Sequence, residues 1–98
     1  MDLAKIKSIN NAFKKFSKQF KKLNIFINNA SPVPQRKNFL RLKNVDIMKN
    51  MTSLLIGNIV SLKNALKYIL KYNSQNQSII INISSYSAIS GGRNIHLY

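Results

Sequence analysis

Polar residues stand at three places where the surrounding pattern is apolar. Asn28-Asn29-Ala30 and Ser84-Ser85 each follow a short Ile-rich run, and Asn58 lies on the apolar side of a helical pattern. Tyr98 follows 13 positions after Ser85. A serine and a tyrosine at one sheet edge could share a carbonyl oxygen between two hydroxyl donors. Amides at the carboxyl ends of parallel strands lie where α/β sheets bind ligands.

Each feature taken alone also has an ordinary structural explanation. A buried Asn58 must find partners or cost on the order of 1–3 kcal/mol, and it could do so by tying its helix to a neighbouring loop. Gly57 beside it weakens a helix by about 1 kcal/mol relative to Ala. An Asn-Asn pair often ends a strand, and serines are common in loops. The functional interpretation therefore depends on the three features occurring together.

Two helices and two strands are predicted to position these residues. Apolar residues that recur every 3 or 4 positions indicate amphipathic helices, and short β-branched runs indicate strands. In chain order the elements are a helix over about residues 2–22, a strand at Leu23–Asn29, a helix over about Asp46–Tyr72 and a strand at Ile79–Ile83. Ser31–Asn44, which holds both prolines, and Ser84–Arg93, which holds Gly91-Gly92, are predicted loops.

The order of these elements predicts an α/β fold. Two apolar strands joined by a long helix form a right-handed βαβ unit, in which the strands are parallel. No repeat, linker or low-complexity tract divides residues 1–98, so we expect one domain. The predicted sheet has only two strands, which two helices cover. A sheet this small is marginally stable, so we expect this domain to be incomplete.

The composition argues against several kinds of site. The chain has no cysteine, and the only other side chains that commonly bind metal ions are His96, Asp2 and Asp46. No metal site is therefore expected. No apolar stretch approaches the roughly 20 residues that span a bilayer. The first eight residues also lack the order of a signal peptide. We therefore expect a soluble cytoplasmic protein without a membrane partner.

The net charge of +14 raises an alternative function, a small basic module that binds RNA or DNA. Such a module would use the lysines together with Tyr68, Tyr72 and Tyr86. The lysines are dispersed along the sequence, and Asn and Ile are also common, as in proteins from A- and T-rich genomes. The phenylalanines lie on the apolar stripe of the first helix, which favours a core role. Nucleic acid is accordingly not expected as a principal partner.

The three polar features in their order and spacing resemble the short-chain dehydrogenase/reductase family. LNIFINNAS resembles the strand end of that family, which reads Asn-Asn-Ala-Gly. GNIVSLKNALKYIL is similar to the helix that carries its catalytic Asn. SIIINISSYSAISGGRNIHLY is similar to the strand and loop that carry its catalytic Ser and Tyr. With the first helix, the resemblance covers nearly all of residues 2–98.

The resemblance implies a partial, doubly wound Rossmann-type fold and an NAD(P)-dependent oxidoreductase. Tyr98 would be the general acid/base, Ser85 would hydrogen-bond the substrate oxygen, and Asn58 would hold a water of the proton relay. Asn28, Ala30 and Tyr98 would contact the cofactor, NAD or NADP. The substrate would be a small carbonyl compound or alcohol, and the full-length protein would form a homo-oligomer.

The chain also departs from the family pattern. Ser31 stands where the family usually has Gly, and the 98 residues include neither the glycine-rich phosphate loop nor the lysine four positions beyond the catalytic Tyr. That lysine lowers the pKa of the tyrosine, which otherwise stays near 10. We therefore expect a central piece of a longer protein, truncated at both ends and inactive in isolation.

Overall fold

A computed structural model of the chain describes residues 1–32, 36–73 and 77–90. Most of the described chain is helical, with two short strands. In chain order the elements are α1 (Ile6–Gln19), β1 (Ile25–Asn28), a 3-10 turn (Phe39–Arg41), α2 (Asn44–Met51), a π-helical turn (Thr52–Ile56), α3 (Gly57–Tyr72), β2 (Ile79–Asn82) and α4 (Ser87–Ser90).

The two strands form a parallel pair, as the sequence predicts. Ile25 lies opposite Ile79, and the pairing continues in register to Asn28 and Asn82 at the carboxyl ends. The crossover between the strands runs through α2 and α3. The predicted α/β fold with one parallel βαβ unit is therefore confirmed.

The two faces of the sheet differ in burial. Phe26 points toward the helices, and its ring centroid lies 6.2 Å from that of Phe13 on α1. Ile25 and Ile27 alternate with Phe26 and so point to the opposite face, where they are 54% and 58% exposed. Within the described residues, the helices thus cover one face of the sheet and leave the other open.

Small residues bring α1 and α3 close together. Ile9 of α1 is fully buried, and the facing positions of α3 include Ser61 and Ala65, which are also buried. A methyl group added at Gly57 would lie 2.3 Å from the carbonyl oxygen of Leu3. Gly57, expected only to weaken its helix, therefore permits the segment before α1 to pass against the start of α3.

The buried side chain of Asn73 joins the segments that lead into both strands. Its Oδ1 accepts the backbone N–H of Leu23 at 3.2 Å, and its Nδ2 donates to the Leu23 carbonyl at 3.2 Å and to Ser78 Oγ at 3.0 Å. The residue directly after α3 thus holds the starts of β1 and β2 side by side. This arrangement supports the register that aligns their carboxyl ends.

The element boundaries differ in part from the predictions. The first helix is shorter than residues 2–22 because Asp2 accepts N–H groups in a turn before it and Phe20 is already extended. The predicted loop at Ser31–Asn44 contains the 3-10 turn, and the one at Ser84–Arg93 contains the short helix α4. Among the described helices, none is both long enough and apolar enough to cross a membrane.

Candidate active site

The carboxyl ends of β1 and β2 border a cavity of about 280 Å³, together with the start of α3. Asn58 and Ser85, 27 positions apart in sequence, both line it. Asn28 and Ala30, the residues expected to contact a cofactor, line it as well. The other lining residues are Asn29, Ser31, Leu54, Asn82, Ile83 and Ser84. The structure thus brings the predicted polar residues of both strand ends and of the helix to one place.

A π-helical turn precedes Asn58. The backbone N–H of Gly57 bonds to the carbonyl of Thr52, five residues earlier, so the regular i to i−4 pattern is interrupted here. The side-chain Nδ2 of Asn58 donates to the Leu54 carbonyl at 2.7 Å, and it also lies 3.4 Å from the carbonyl of Ala30. These contacts fix the amide against both the helix and the end of β1.

The other atom of that amide, Asn58 Oδ1, is buried and has no hydrogen-bond partner among the described residues. A buried acceptor without a partner costs about 1–3 kcal/mol. Because the residue also lines the cavity, a water or hydroxyl group bound there would remove this cost. The amide therefore presents a fixed acceptor at the candidate site.

Asn82 was not among the predicted site residues, although it lines the cavity. It pairs in register with Asn28, and Asn28 Nδ2 donates to Asn82 Oδ1 at 3.2 Å. The sequence carried a signal for this pair, since each Ile-rich strand ends in an Asn. Only parallel, in-register pairing makes the two amides neighbours. Their hydrogen bond links the ends of the strands from which Ala30 and Ser85 follow.

Ser85 is held by the first turn after β2. Its Oγ accepts the backbone N–H of Ser87 at 3.2 Å, and its carbonyl accepts the N–H of Ala88 at 3.0 Å. The short helix α4, which was predicted as loop, arises from this turn. With its oxygen accepting from the backbone, the hydroxyl of Ser85 keeps its own proton for donation to a ligand.

Tyr98, the predicted general acid/base, lies outside the described residues. His96 and the pair Gly91-Gly92 lie outside them as well. The cavity lining that is described carries no charged side chain. Both acids of the chain are elsewhere, Asp2 beside Lys5 at 3.5 Å and Asp46 beside Lys37 at 3.2 Å.

No group of three His, Cys, Asp or Glu side chains that could hold a metal ion occurs within the described residues. The polar side chains that line the cavity are amides and hydroxyls, which can donate and accept hydrogen bonds. What the described arrangement can do chemically is to orient a small polar ligand through hydrogen bonds.

The three tyrosines of the nucleic-acid alternative occupy different environments. Tyr68 is buried, with its ring edge-on to Phe16 at 5.3 Å, and its hydroxyl donates to the Phe20 carbonyl. Tyr72 packs on Tyr68 with ring centroids 4.6 Å apart. Tyr86 is 77% exposed. Because Tyr68 belongs to the core, the three rings do not form one exposed stacking platform.

Solved structures share this fold. An NADH-dependent reductase responsible for alginate metabolism matches with a TM-score of 0.88 at 21% identity, over 99% of this chain and 41% of its own. The 3-ketoacyl-(acyl-carrier-protein) reductase from Brucella melitensis, complexed with NADH, matches with a TM-score of 0.87 at 17% identity, over 99% of this chain and 40% of its own.

The L-sorbose reductase from Gluconobacter frateurii, complexed with NADPH and L-sorbose, has a TM-score of 0.86 at 13% identity. That match covers all of this chain (100%) and 36% of the reductase. The chain therefore spans well under half the length of these structural relatives.

The sequence as a whole matches a family model, although no curated protein sequence matches the chain. The family model described as short chain dehydrogenase matches residues 1–98, which is the whole chain. With the parallel βαβ unit and the polar edge of the sheet, this match confirms the resemblance seen in the sequence motifs. The chain belongs to the short-chain dehydrogenase family.

Proposed function

We propose that residues 1–98 form the part of an NAD(P)-dependent oxidoreductase that orients a carbonyl or alcohol substrate and exchanges a proton with its oxygen. The observation that supports this proposal most directly is the convergence of Asn58 and Ser85 on one cavity, where Asn58 Oδ1 is buried without a partner among the described residues. Two solved structures that share the fold contain NAD in one case and NADPH with L-sorbose in the other.

The described residues fit the nicotinamide and ribose end of a dinucleotide. The cavity of about 280 Å³ is smaller than the roughly 300–1,000 Å³ of typical ligand pockets, so it accommodates a portion of the cofactor. Asn28 and Ala30 would border the ribose, and Tyr98 would contact it as well. When bound, the nicotinamide supplies or accepts the hydride.

The chain's own residues handle the substrate oxygen and its proton. Ser85, anchored by the N–H of Ser87, donates its hydroxyl proton in a hydrogen bond to that oxygen. Tyr98 gives a proton to the same oxygen during reduction and takes it back during oxidation. Asn58 Oδ1 accepts a hydrogen bond from a water that relays protons to the site. The two hydroxyl donors stabilise negative charge that develops on the oxygen.

A chimera tests these roles in a protein that also contains the cofactor-binding segments that residues 1–98 do not include. Residues 1–98 would replace the structurally matched segment of the NADH-dependent reductase responsible for alginate metabolism, whose own chain supplies the remainder. NADH oxidation by an active chimera would then be measured for Tyr98→Phe, Ser85→Ala and Asn58→Ala. We expect each to lower kcat, by about 10²–10⁴-fold for Tyr98→Phe. The dissociation constant for NADH should change little for Ser85→Ala.

Ser84→Ala is the matched control, since Ser84 lines the same cavity one residue away. The proposed roles would be wrong if Ser84→Ala reduced kcat as much as Ser85→Ala, or if Tyr98→Phe kept full activity in a chimera that turns over.

The isolated 98-residue chain is proposed not to turn over substrate. Its three glycines, at positions 57, 91 and 92, do not have the sequence spacing of a glycine-rich loop that cradles a pyrophosphate. Titration of the pure chain with NADH and NADPH, followed by nicotinamide fluorescence, should show no saturable binding. Saturable binding would contradict this proposal, whereas binding gained only after fusion of a glycine-rich strand and loop would support it.

A further inference from the structure

Helix α1 gathers lysines that look dispersed in the sequence. Lys7, Lys14 and Lys18 lie within about 40° of one another around the helix axis, and Lys15 lies next to them. All four are exposed, and with Lys5 they line one shallow concavity of the surface. We call Lys7, Lys14, Lys15 and Lys18 the α1 lysine face.

The α1 lysine face is not neutralised by the described part of the chain. The protein has two acidic residues, and their ion pairs are with Lys5 and Lys37. Within the described ranges, no carboxylate lies within 4 Å of the ammonium groups of Lys7, Lys14, Lys15 or Lys18. Four like charges on one helical face repel one another and concentrate an external anion.

We propose that the α1 lysine face binds the phosphate backbone of nucleic acid independently of sequence. From Lys7 to Lys18 the face extends about 16 Å along the helix axis. A nucleic-acid strand presents a phosphate about every 3.4 Å of B-form axis, so several phosphates lie within reach of the four ammonium groups. Lysine acts as a point charge and reads no base pattern, which makes the contact sequence-independent.

The inward packing of α1 favours nucleic acid over a membrane surface. Helices that bind membranes insert an apolar face between the lipids. On α1 the centre of that face is used within the fold, because Ile9 is fully buried, Phe13 contacts Phe26 and Phe16 contacts Tyr68. The lysines of the charged side are all exposed, and binding to that side should be electrostatic and sensitive to salt.

The test compares two variants with the same loss of charge. In the first, the four residues of the α1 lysine face are changed to Gln. In the control, four exposed lysines on or beside α2 and α3 are changed to Gln: Lys43, Lys49, Lys63 and Lys67. Fluorescence anisotropy with a labelled mixed-sequence oligonucleotide, single-stranded or duplex, is followed between about 50 and 200 mM salt.

The native chain and the control should bind with similar salt dependence, and scrambling the oligonucleotide sequence should change nothing. The α1 variant should bind at least about tenfold more weakly, and its plot of log K against log salt should be shallower by about 2–3 units for single strands. Equal losses in both variants would show that only net charge matters and would overturn the proposal. Absence of binding at low salt, or equal binding to poly-glutamate or to phosphatidylserine vesicles, would overturn it as well.

Discussion

Asn58 and Tyr68 both place polar groups on the inner side of α3, and both side chains donate a hydrogen bond to a backbone carbonyl. Asn58 Nδ2 donates to Leu54, and the Tyr68 hydroxyl donates to Phe20 at the end of α1. The difference is that Asn58 retains a buried oxygen without a partner among the described residues. A buried polar atom left unused beside a cavity distinguishes a candidate functional residue from one that only joins two elements.

Tyr68 leads to a prediction about stability at high pH. Burial raises the pKa of its phenol, Tyr72 raises it further, and Lys71 opposes the shift. The folded state therefore favours the protonated phenol, whose stabilising effect is complete below the unfolded pKa of about 10 and is lost as the pH rises through the folded pKa. Tyr68→Phe should reduce the alkaline fall in the free energy of unfolding, measured by urea denaturation across this pH range.

Tyr86→Phe is the control for this experiment, because it removes an exposed phenol. The control should keep the alkaline fall of the native chain. An identical pH dependence in native chain and Tyr68→Phe would mean that the phenol of Tyr68 is not linked to folding.

At the scale of elements, the start of α3 combines a π-helical turn with a glycine. The turn at Thr52–Ile56 precedes Gly57, and Asn58 follows directly. The glycine lets the backbone of Leu3 approach, and the Asn58 amide donates to the carbonyl of Leu54 within the turn. Two local departures from regular helix thus lie directly before Asn58.

Gly57→Ala should destabilise the protein although alanine favours helices. The added Cβ would lie 2.3 Å from the Leu3 carbonyl oxygen and 2.9 Å from its Cβ, and a backbone atom cannot swing aside as a side chain can. We expect a loss of about 1–3 kcal/mol in the free energy of unfolding, which outweighs the propensity gain of about 1 kcal/mol. Urea denaturation measures the change.

Lys67→Ala, at an exposed position of the same helix, is the control and should alter stability by no more than about 0.5 kcal/mol. A Gly57→Ala protein that equals or exceeds the native stability would exclude the close approach of Leu3 to α3.

At the scale of the whole molecule, the two main features are the net charge and the sheet face that no helix covers. A net charge of +14 on 98 residues opposes compaction by self-repulsion. In the described residues, Ile25, Ile27 and Ile79 expose more than half of their surface on the face that no helix covers. Parallel sheets are usually covered on both faces, so this exposed apolar face is suited to packing against further secondary structure.

The charge predicts that salt stabilises the fold. Raising sodium chloride from about 10 to 150 mM shortens the Debye length from about 30 to about 8 Å and weakens repulsion between distant lysines. The Tm should therefore rise over this range. The variant with Gln at positions 43, 49, 63 and 67 carries less charge, so its Tm should rise less. A Tm of the native chain that is independent of salt would contradict this expectation.

The sequence by itself determined the two long helical regions, the two strands, the parallel βαβ unit and the family. Its periodicities are local properties, and the motifs around Asn28, Asn58 and Ser85 are contiguous stretches of residues. The predicted functions of these residues, like that of Tyr98, remain proposals. What the sequence did not reveal depends on contacts between residues far apart along the chain.

Tertiary structure alone decided two features. Register made Asn28 and Asn82 hydrogen-bond partners, and the approach of Leu3 gave Gly57 its role. In each case the deciding quantity is a distance in space between backbones or side chains. Local propensity determines how a segment folds, whereas packing determines which segments meet.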